Sequence, residues 1–121
     1  AVAAAIESGH PKACILGDVF HAYRGGPDFS GWRLLGPLAM PVLHLNDYPA
    51  TPSREEINDS HRVMPGDGVA PLGEIFKTLQ QVGARPVLSL ELFNREYWKQ
   101  DALTVAKLGL EKMKAVVAKA G

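Results

Sequence analysis

Three short apolar runs, each with a helical pattern before and after it, constrain the fold of this chain more than any other feature. The runs predict β-strands over residues 13–19, 41–46 and 86–92, the first of them buried on both faces. Because helical segments alternate with these strands, we expect the strands to run parallel and to be joined by crossover helices. The sequence therefore predicts an α/β fold on a parallel sheet, with residues 1–121 forming one unit.

The helical segments have start and stop signals of their own. Gly and Pro follow the first segment, a proline opens the central one, and Asp101 is placed to cap the last. Residues 25–28 predict a turn, and residues 47–70 form the longest stretch without periodicity. Long loops in compact domains often carry function. The predicted helical segments are residues 1–8, 30–35, 53–57, 71–82 and the segment that follows Asp101.

Composition disfavours two classes of partner. Thirteen basic side chains balance thirteen acidic ones, so no broad positive field exists to attract nucleic acid or anionic lipid. No apolar stretch approaches the roughly 20 residues of a membrane-spanning helix. Cys14, the single cysteine, lies in an apolar run and is expected to be buried. A single cysteine cannot form an intramolecular disulfide, which fits a reducing compartment, so we expect a cytoplasmic protein. We also expect it to bind neither nucleic acid nor membrane.

Polar side chains stand at or near the ends of the three predicted strands. These residues are Asp18, His44 and Glu91. Parallel strands end at the same edge of a sheet, and a mixed set of carboxylate and imidazole ligands suits Mn²⁺, Mg²⁺, Co²⁺ or Zn²⁺. The sequence therefore predicts a divalent-metal site. Structural alternatives exist for each: Asp18 as a turn cap, His44 as a hydrogen-bonded core histidine, and Glu91 as the partner of an arginine.

Two further residues are candidates for binding a ligand. His21 follows Asp18 by three residues and is expected to project from the same edge, while Arg62 offers a permanent cation for a hydroxyl or carbonyl oxygen. Gly66 and Gly68 permit close approach of the backbone to a ligand. The alternative is a solvated turn in which Arg62 pairs with Asp59.

Four motifs, in order, resemble the second half of a sugar phosphate isomerase/epimerase of the xylose isomerase-like TIM-barrel superfamily. They are Asp-Val-Phe-His at residues 18–21, His-Leu-Asn-Asp at 44–47, His-Arg-Val-Met-Pro-Gly-Asp-Gly at 61–68 and Ser-Leu-Glu-Leu-Phe at 89–93. Inosose isomerases, inosose dehydratases and ketose 3-epimerases belong to this group. The resemblance covers nearly all of the chain and implies the C-terminal half of a (β/α)₈ barrel.

The resemblance also implies a role for each candidate. In the family a divalent metal is held by Glu, Asp, His and Glu; Asp18, His44 and Glu91 would be the last three ligands, and the first glutamate has no counterpart here. His21 and Arg62 would bind substrate, and Glu91 would be the catalytic base. The implied activity is isomerisation or epimerisation of a keto-sugar or cyclitol, by proton transfer α to a carbonyl through a metal-stabilised enediolate.

The chain is about half the length of a complete barrel. A (β/α)₈ barrel takes about 250 residues, whereas this sequence has 121 and begins with Ala in an apparent helix. Three strands leave open sheet edges that have to be covered. We therefore expect a missing N-terminal half or a second copy of the chain.

Two other functions are compatible with the sequence. Residues 59–61, Asp-Ser-His, form an Asp-x-His element that resembles two ligands in the three-zinc cluster of the superfamily's DNA-repair enzymes, the endonuclease IV-like proteins. The balanced charge disfavours DNA as a substrate. The third hypothesis is a non-catalytic protein, because the fragment alone lacks one ligand of the family's metal site.

Overall fold

The computed structural model describes residues 1–26 and 28–121; Pro27, in the predicted turn at residues 25–28, lies outside the described residues. The elements, in chain order, are α1 Val2–Glu7, β1 Leu16–Asp18, α2 Val19–Gly25, a 3₁₀ turn Ser30–Leu34, β2 Val42–His44, a second 3₁₀ turn Asp59–His61, α3 Leu72–Gln81, β3 Val87–Ser89, α4 Arg95–Trp98 and α5 Ala102–Lys119.

The three strands form one parallel sheet in the order β1-β2-β3. The register pairs Asp18 with His44 and His44 with Ser89, so all three strands end at the same edge. Helical segments precede and follow every strand, as the alternation in the sequence predicts. The predicted α/β fold on a parallel sheet is confirmed.

The strands are shorter than predicted, and at the end of β1 a polar side chain redirects the backbone. Asp18 leaves β1 in an extended conformation and its carboxylate accepts a hydrogen bond from the His21 amide at 2.9 Å, which caps α2. The continuous apolar run through Val19 concealed this helix, and α2 was not predicted. Helix α4 was also missed, while residues 53–57 form a turn and no helix.

Two burial predictions are wrong, for one physical reason. Leu16 in β1 is 54% exposed, although the strand was predicted to be buried on both faces, and Cys14 before it is also exposed. Leu16 points to the face of the sheet that carries Asp18 and His44, whereas the core formed by the described residues lies on the other face. The central strand β2 buries Leu43 completely, and the other edge strand leaves Val87 68% exposed. The predicted open edges are present, since within the described residues β1 and β3 each pair with β2 alone.

The core packs the central strand against α2 and α3. Helix α3 directs one apolar face inward, as its predicted periodicity requires. The buried apolar residues of this core are Val19, Phe20, Met40, Leu43, Leu45, Tyr48, Ile57, Leu72, Ile75, Phe76, Leu79 and Ala84. No helix in residues 1–26 or 28–121 is both long and apolar enough to cross a bilayer.

A single buried carboxylate organises the loop after β2. Asp47 accepts hydrogen bonds through Oδ1 from the amides of Tyr48 and Ala70, both at 2.8 Å, and through Oδ2 from those of Gly66 at 2.9 Å and Gly68 at 3.2 Å. Its backbone also pairs with Val63. The carboxylate gives these four loop amides the hydrogen-bond acceptor that a neighbouring strand would otherwise provide. It therefore fixes the path of the chain immediately after Arg62.

Substituting Gly68 should test how tightly this loop is packed. A Cβ at Gly68 would overlap the Tyr48 carbonyl oxygen and the Asp47 carboxylate, neither of which can move freely. We expect Gly68→Ala to lower the free energy of unfolding by about 1–3 kcal/mol in urea denaturation. The matched control is Gly73→Ala in α3, where a Cβ meets nothing within 4 Å. Equal stability of the two variants would contradict the packing described.

Tyr48 gives the fold a dependence on alkaline pH. Burial of its phenol, with smaller electrostatic contributions from the neighbouring Tyr23 and Asp47, raises the pKa of Tyr48 to about 12. Since the unfolded chain releases this proton near pH 10, stability should fall as pH rises from about 10 towards 12. Denaturation midpoints measured across this range should decline less in Tyr48→Phe than in the wild-type protein.

Candidate functional site

The three predicted metal ligands meet at the common edge of the sheet. Nδ1 of His44 lies 3.4 Å from Oδ2 of Asp18 and 3.2 Å from Oε2 of Glu91. One ligand atom from each residue lies within 4.8 Å of the other two. Asp18 ends β1, His44 ends β2, and Glu91 lies two residues beyond β3. The parallel register therefore brings together side chains that are 26 and 47 residues apart in the sequence.

The spacing of these atoms fits a divalent cation. Two ligand atoms at about 2.1 Å from one ion are separated by about 3.0 Å at a right angle and about 3.4 Å at a tetrahedral angle. The two distances from His44 Nδ1, 3.2 and 3.4 Å, fall within this range. Two carboxylates and one imidazole are also a donor set that Zn²⁺ and Mn²⁺ both accept. The residues present therefore suit a metal ion.

Arg62 is completely buried and pairs with the same carboxylates. Its Nη1 lies 3.1 Å from Oδ2 of Asp18 and 2.9 Å from Oε2 of Glu91. The guanidinium also lies over the rings of Phe20, at 4.8 Å, and Phe93, at 5.2 Å. Within the described part of the chain its Nε has no hydrogen-bond partner. Arg62 thus supplies a permanent positive charge between two acidic groups, which reduces the repulsion between them when both are ionised.

His21 lies beside Arg62 and faces solvent. Its Nε2 is 3.0 Å from Nη2 of Arg62, and 63% of its side chain is exposed. A guanidinium has donors only, so His21 Nε2 accepts this bond and, in the neutral ring, Nδ1 carries the proton. The imidazole can therefore present an N–H group to an oxygen of a ligand. The structure brings His21 and Arg62 to the same site as the three metal-ligand candidates.

Asn46 belongs to the site but was not singled out from the sequence. Its side chain is fully buried, accepts a hydrogen bond from the Phe20 amide at 3.0 Å, and places Nδ2 3.4 Å from both oxygens of Asp18 and 3.5 Å from the Glu91 carbonyl oxygen. Asn46 thus links the ends of all three strands. Its position two residues after His44, on the same side of an extended chain, was the signal that could have identified it.

Some contacts expected from the structural alternatives coexist with the convergence at the site, but the solvated turn expected around Arg62 is wrong, because Arg62 is completely buried. Asp18 caps α2, Glu91 pairs with Arg62, and Arg62 also binds Asp59. The Asp-x-His element lies outside the cluster: Asp59 pairs with the far side of Arg62, through Nη2, and Nδ1 of His61 accepts from the Asn58 amide at 3.1 Å. Among the described residues, the metal-capable cluster therefore consists of Asp18, His44 and Glu91.

Sequence relatives share the family that the motifs indicate. The family profile described as the xylose isomerase-like TIM barrel matches residues 1–116. An inosose isomerase of Bacillus velezensis is 29% identical over 111 residues, which cover 92% of this chain and 39% of that protein. An inosose isomerase of Bacillus subtilis is 29% identical over 93 residues, which cover 74% of this chain and 33% of that protein. The chain thus spans under two fifths of the length of these curated relatives.

Solved structures agree with the sequence relatives. The structure of the IolI protein with a zinc atom superposes with a TM-score of 0.82 at 26% identity, and the match covers 89% of this chain and 38% of that one. A xylose isomerase domain protein from Alicyclobacillus acidocaldarius superposes with a TM-score of 0.73 at 26% identity, over 93% of this chain and 39% of that one. The fold is accordingly part of a barrel. The chain belongs to the xylose isomerase-like TIM barrel family.

Proposed function

We propose that this chain carries the metal-binding and proton-transferring part of a metal-dependent isomerase or epimerase that acts on a keto-sugar or cyclitol. The observation that carries the proposal is the convergence of Asp18, His44 and Glu91 within 4.8 Å at the ends of three adjacent parallel strands. The named activity of the inosose isomerases and the zinc atom in the IolI structure support the same chemistry.

The three residues would hold one divalent ion, whose chemistry when bound is to stabilise negative charge on substrate oxygens. Asp18 suits a purely coordinating role because its side chain is only 6% exposed and is occupied by α2, Asn46 and Arg62. Glu91 differs, since 34% of its side chain is exposed. Of the two carboxylates, Glu91 is therefore the one that can contact a substrate and also coordinate.

Glu91 is the proposed base that removes the proton from the carbon next to the carbonyl and returns it to a neighbouring position. Arg62 holds its Oε2 at 2.9 Å and so fixes the direction of the carboxylate. We propose that His21 binds a substrate hydroxyl, as its exposed ring allows. Arg62 is completely buried, so a direct contact with substrate requires that the substrate displace one of its present partners.

A complete site needs more chain than is present here. The outer strands β1 and β3 have unpaired edges, and Leu16 and Val87 are exposed on them. We propose that the missing strands of the barrel, from an N-terminal half or a second copy, pair with these edges. They would also contribute the remaining metal ligand, which the family's four-ligand pattern places before this segment.

Metal titration tests the proposed function. Calorimetry with Mn²⁺, Co²⁺ and Zn²⁺ should show one ion per protein, and His44→Ala should weaken binding at least tenfold because it removes a direct ligand. The control is His10→Ala: His10 is exposed and its Nδ1 accepts from the Lys12 amide, away from the site. Unchanged affinity in His44→Ala, or binding of a three-zinc cluster, would contradict the proposal.

A further inference from the structure

Helix α4 is anchored to the segment that carries Arg62. The Asn94 side chain accepts from the Glu96 amide at 3.0 Å and donates to the Arg62 carbonyl at 3.0 Å, while the Tyr97 hydroxyl accepts from the Met64 amide at 3.3 Å. Four residues do not form a stable helix on their own. These cross-links therefore set the position of α4 relative to the metal-ligand cluster.

Two other residues of α4 line a cavity next to that cluster. Arg95 and Trp98, three residues apart and so on one face, share this cavity of about 460 Å³ with His21, Asp59, Ser60 and Glu91. Trp98 is 63% exposed, and Arg95 is exposed with no salt-bridge partner in the described ranges. An indole face and an unpaired guanidinium on one fixed helix face are groups available to a ligand.

We infer that Arg95 and Trp98 form a subsite that binds the end of the substrate remote from its reacting carbonyl. The inference rests on the proposed function, because the cavity meets the metal-ligand cluster at Glu91 and His21. The indole can pack against the C–H face of a polyhydroxylated ring. Arg95 can donate hydrogen bonds to the hydroxyl groups of that ring, and Asp59 can accept hydrogen bonds from them. A cavity of this volume is of the size that holds a small ligand.

The chemistry predicts which substrates the subsite distinguishes. A six-membered cyclitol ketone or a six-carbon ketose has hydroxyl groups beyond the reacting centre, whereas a three-carbon hydroxyketone has none to reach Trp98. Contacts remote from the reaction contribute to the selection of one substrate over another. Trp98 and Arg95 are therefore assigned to specificity, while Glu91 is assigned to proton transfer.

The test compares two probes in the metal-loaded, full-length protein. For an inosose, Trp98→Ala should raise KM about tenfold with kcat nearly unchanged. Trp98→Phe keeps an aromatic ring and should bring KM most of the way back to the wild-type value. Arg95→Ala should act in the same direction. For dihydroxyacetone, which lacks distal hydroxyls, exchange of the α-proton with solvent should be the same in wild type and Trp98→Ala.

Matched controls separate this inference from the proposed function. Lys99→Ala changes the next residue along the chain, whose Nζ pairs with Glu96 and does not line the cavity, and it should leave both probes unaffected. Two results would overturn the subsite alone. One is an active wild-type protein whose KM for the inosose is unchanged by Trp98→Ala, and the other is an equal loss of activity towards both probes in that variant. A metal-loaded wild-type protein inert towards both probes would overturn the proposed function and the subsite together.

Discussion

Replacing Glu91 with Gln is expected to abolish exchange of the substrate's α-proton with solvent in the intact, metal-loaded enzyme. Gln has nearly the same size as Glu, but its amide cannot act as a base. Loss of a positioned general base typically lowers the rate by a factor of about 10²–10⁴. The measurement is incorporation of deuterium into an inosose in D₂O, followed by NMR. Unchanged incorporation would rule out Glu91 as the base.

The controls have to separate loss of the base from loss of the ion. Glu91 is also a proposed ligand, so the metal content of the variant is measured in parallel and rates are compared at saturating metal. Glu96→Gln is the matched substitution: Glu96 lies on α4, is 71% exposed through its side chain, and pairs with Lys99. We expect this variant to retain normal deuterium incorporation, because Glu96 is not part of the cavity next to Glu91.

The positions of the metal-ligand candidates could be predicted because they depend on one simple rule. Parallel strands end at the same edge, so polar residues that follow each apolar run converge whatever their separation in the sequence. Asp18, His44 and Glu91 satisfy this rule, and the structure brings them within 4.8 Å of one another. Their roles as ligands and base go beyond what proximity shows and stay proposals.

The surroundings of the site could not be predicted in the same way. Arg62 lies in a polar, glycine-containing loop that is typical of a solvated turn, yet it is completely buried. Its burial depends on Asp47, which gathers four backbone amides of the loop, and on two aromatic rings from α2 and the segment after β3. These contacts are tertiary, and no local pattern indicates them.

Cys14 and Leu16 were predicted to be buried and are exposed. An apolar run is typical of a buried strand, but burial on both faces requires elements packed on both. Leu16 points to the face opposite the core, which a complete barrel would enclose, and it is exposed here. Local sequence specifies that a strand forms, whereas the exposure of its residues depends on strands that are absent from this chain.

The second large effect is expected from Arg62→Met. The substitution keeps an unbranched apolar side chain between Phe20 and Phe93 but removes the charge that separates Asp18 from Glu91. Breaking a buried ion pair from one side costs about 3–5 kcal/mol. We expect a loss of that size in the free energy of unfolding without metal, measured by urea denaturation. Arg33→Met, at an exposed position, should change stability by less than about 0.5 kcal/mol.

Added metal should restore part of the free energy of unfolding that Arg62→Met loses. A divalent ion among Asp18, His44 and Glu91 would supply the positive charge that the guanidinium provides in the metal-free chain. Removing the guanidinium that competes for these carboxylates should tighten Zn²⁺ binding. A ligand that binds the folded state more tightly stabilises it more, so added Zn²⁺ should raise the melting temperature more in Arg62→Met than in wild type. An equal rise in both proteins would show that Arg62 does not neutralise the carboxylates at this site. The comparison therefore measures the charge interaction itself, independently of catalysis.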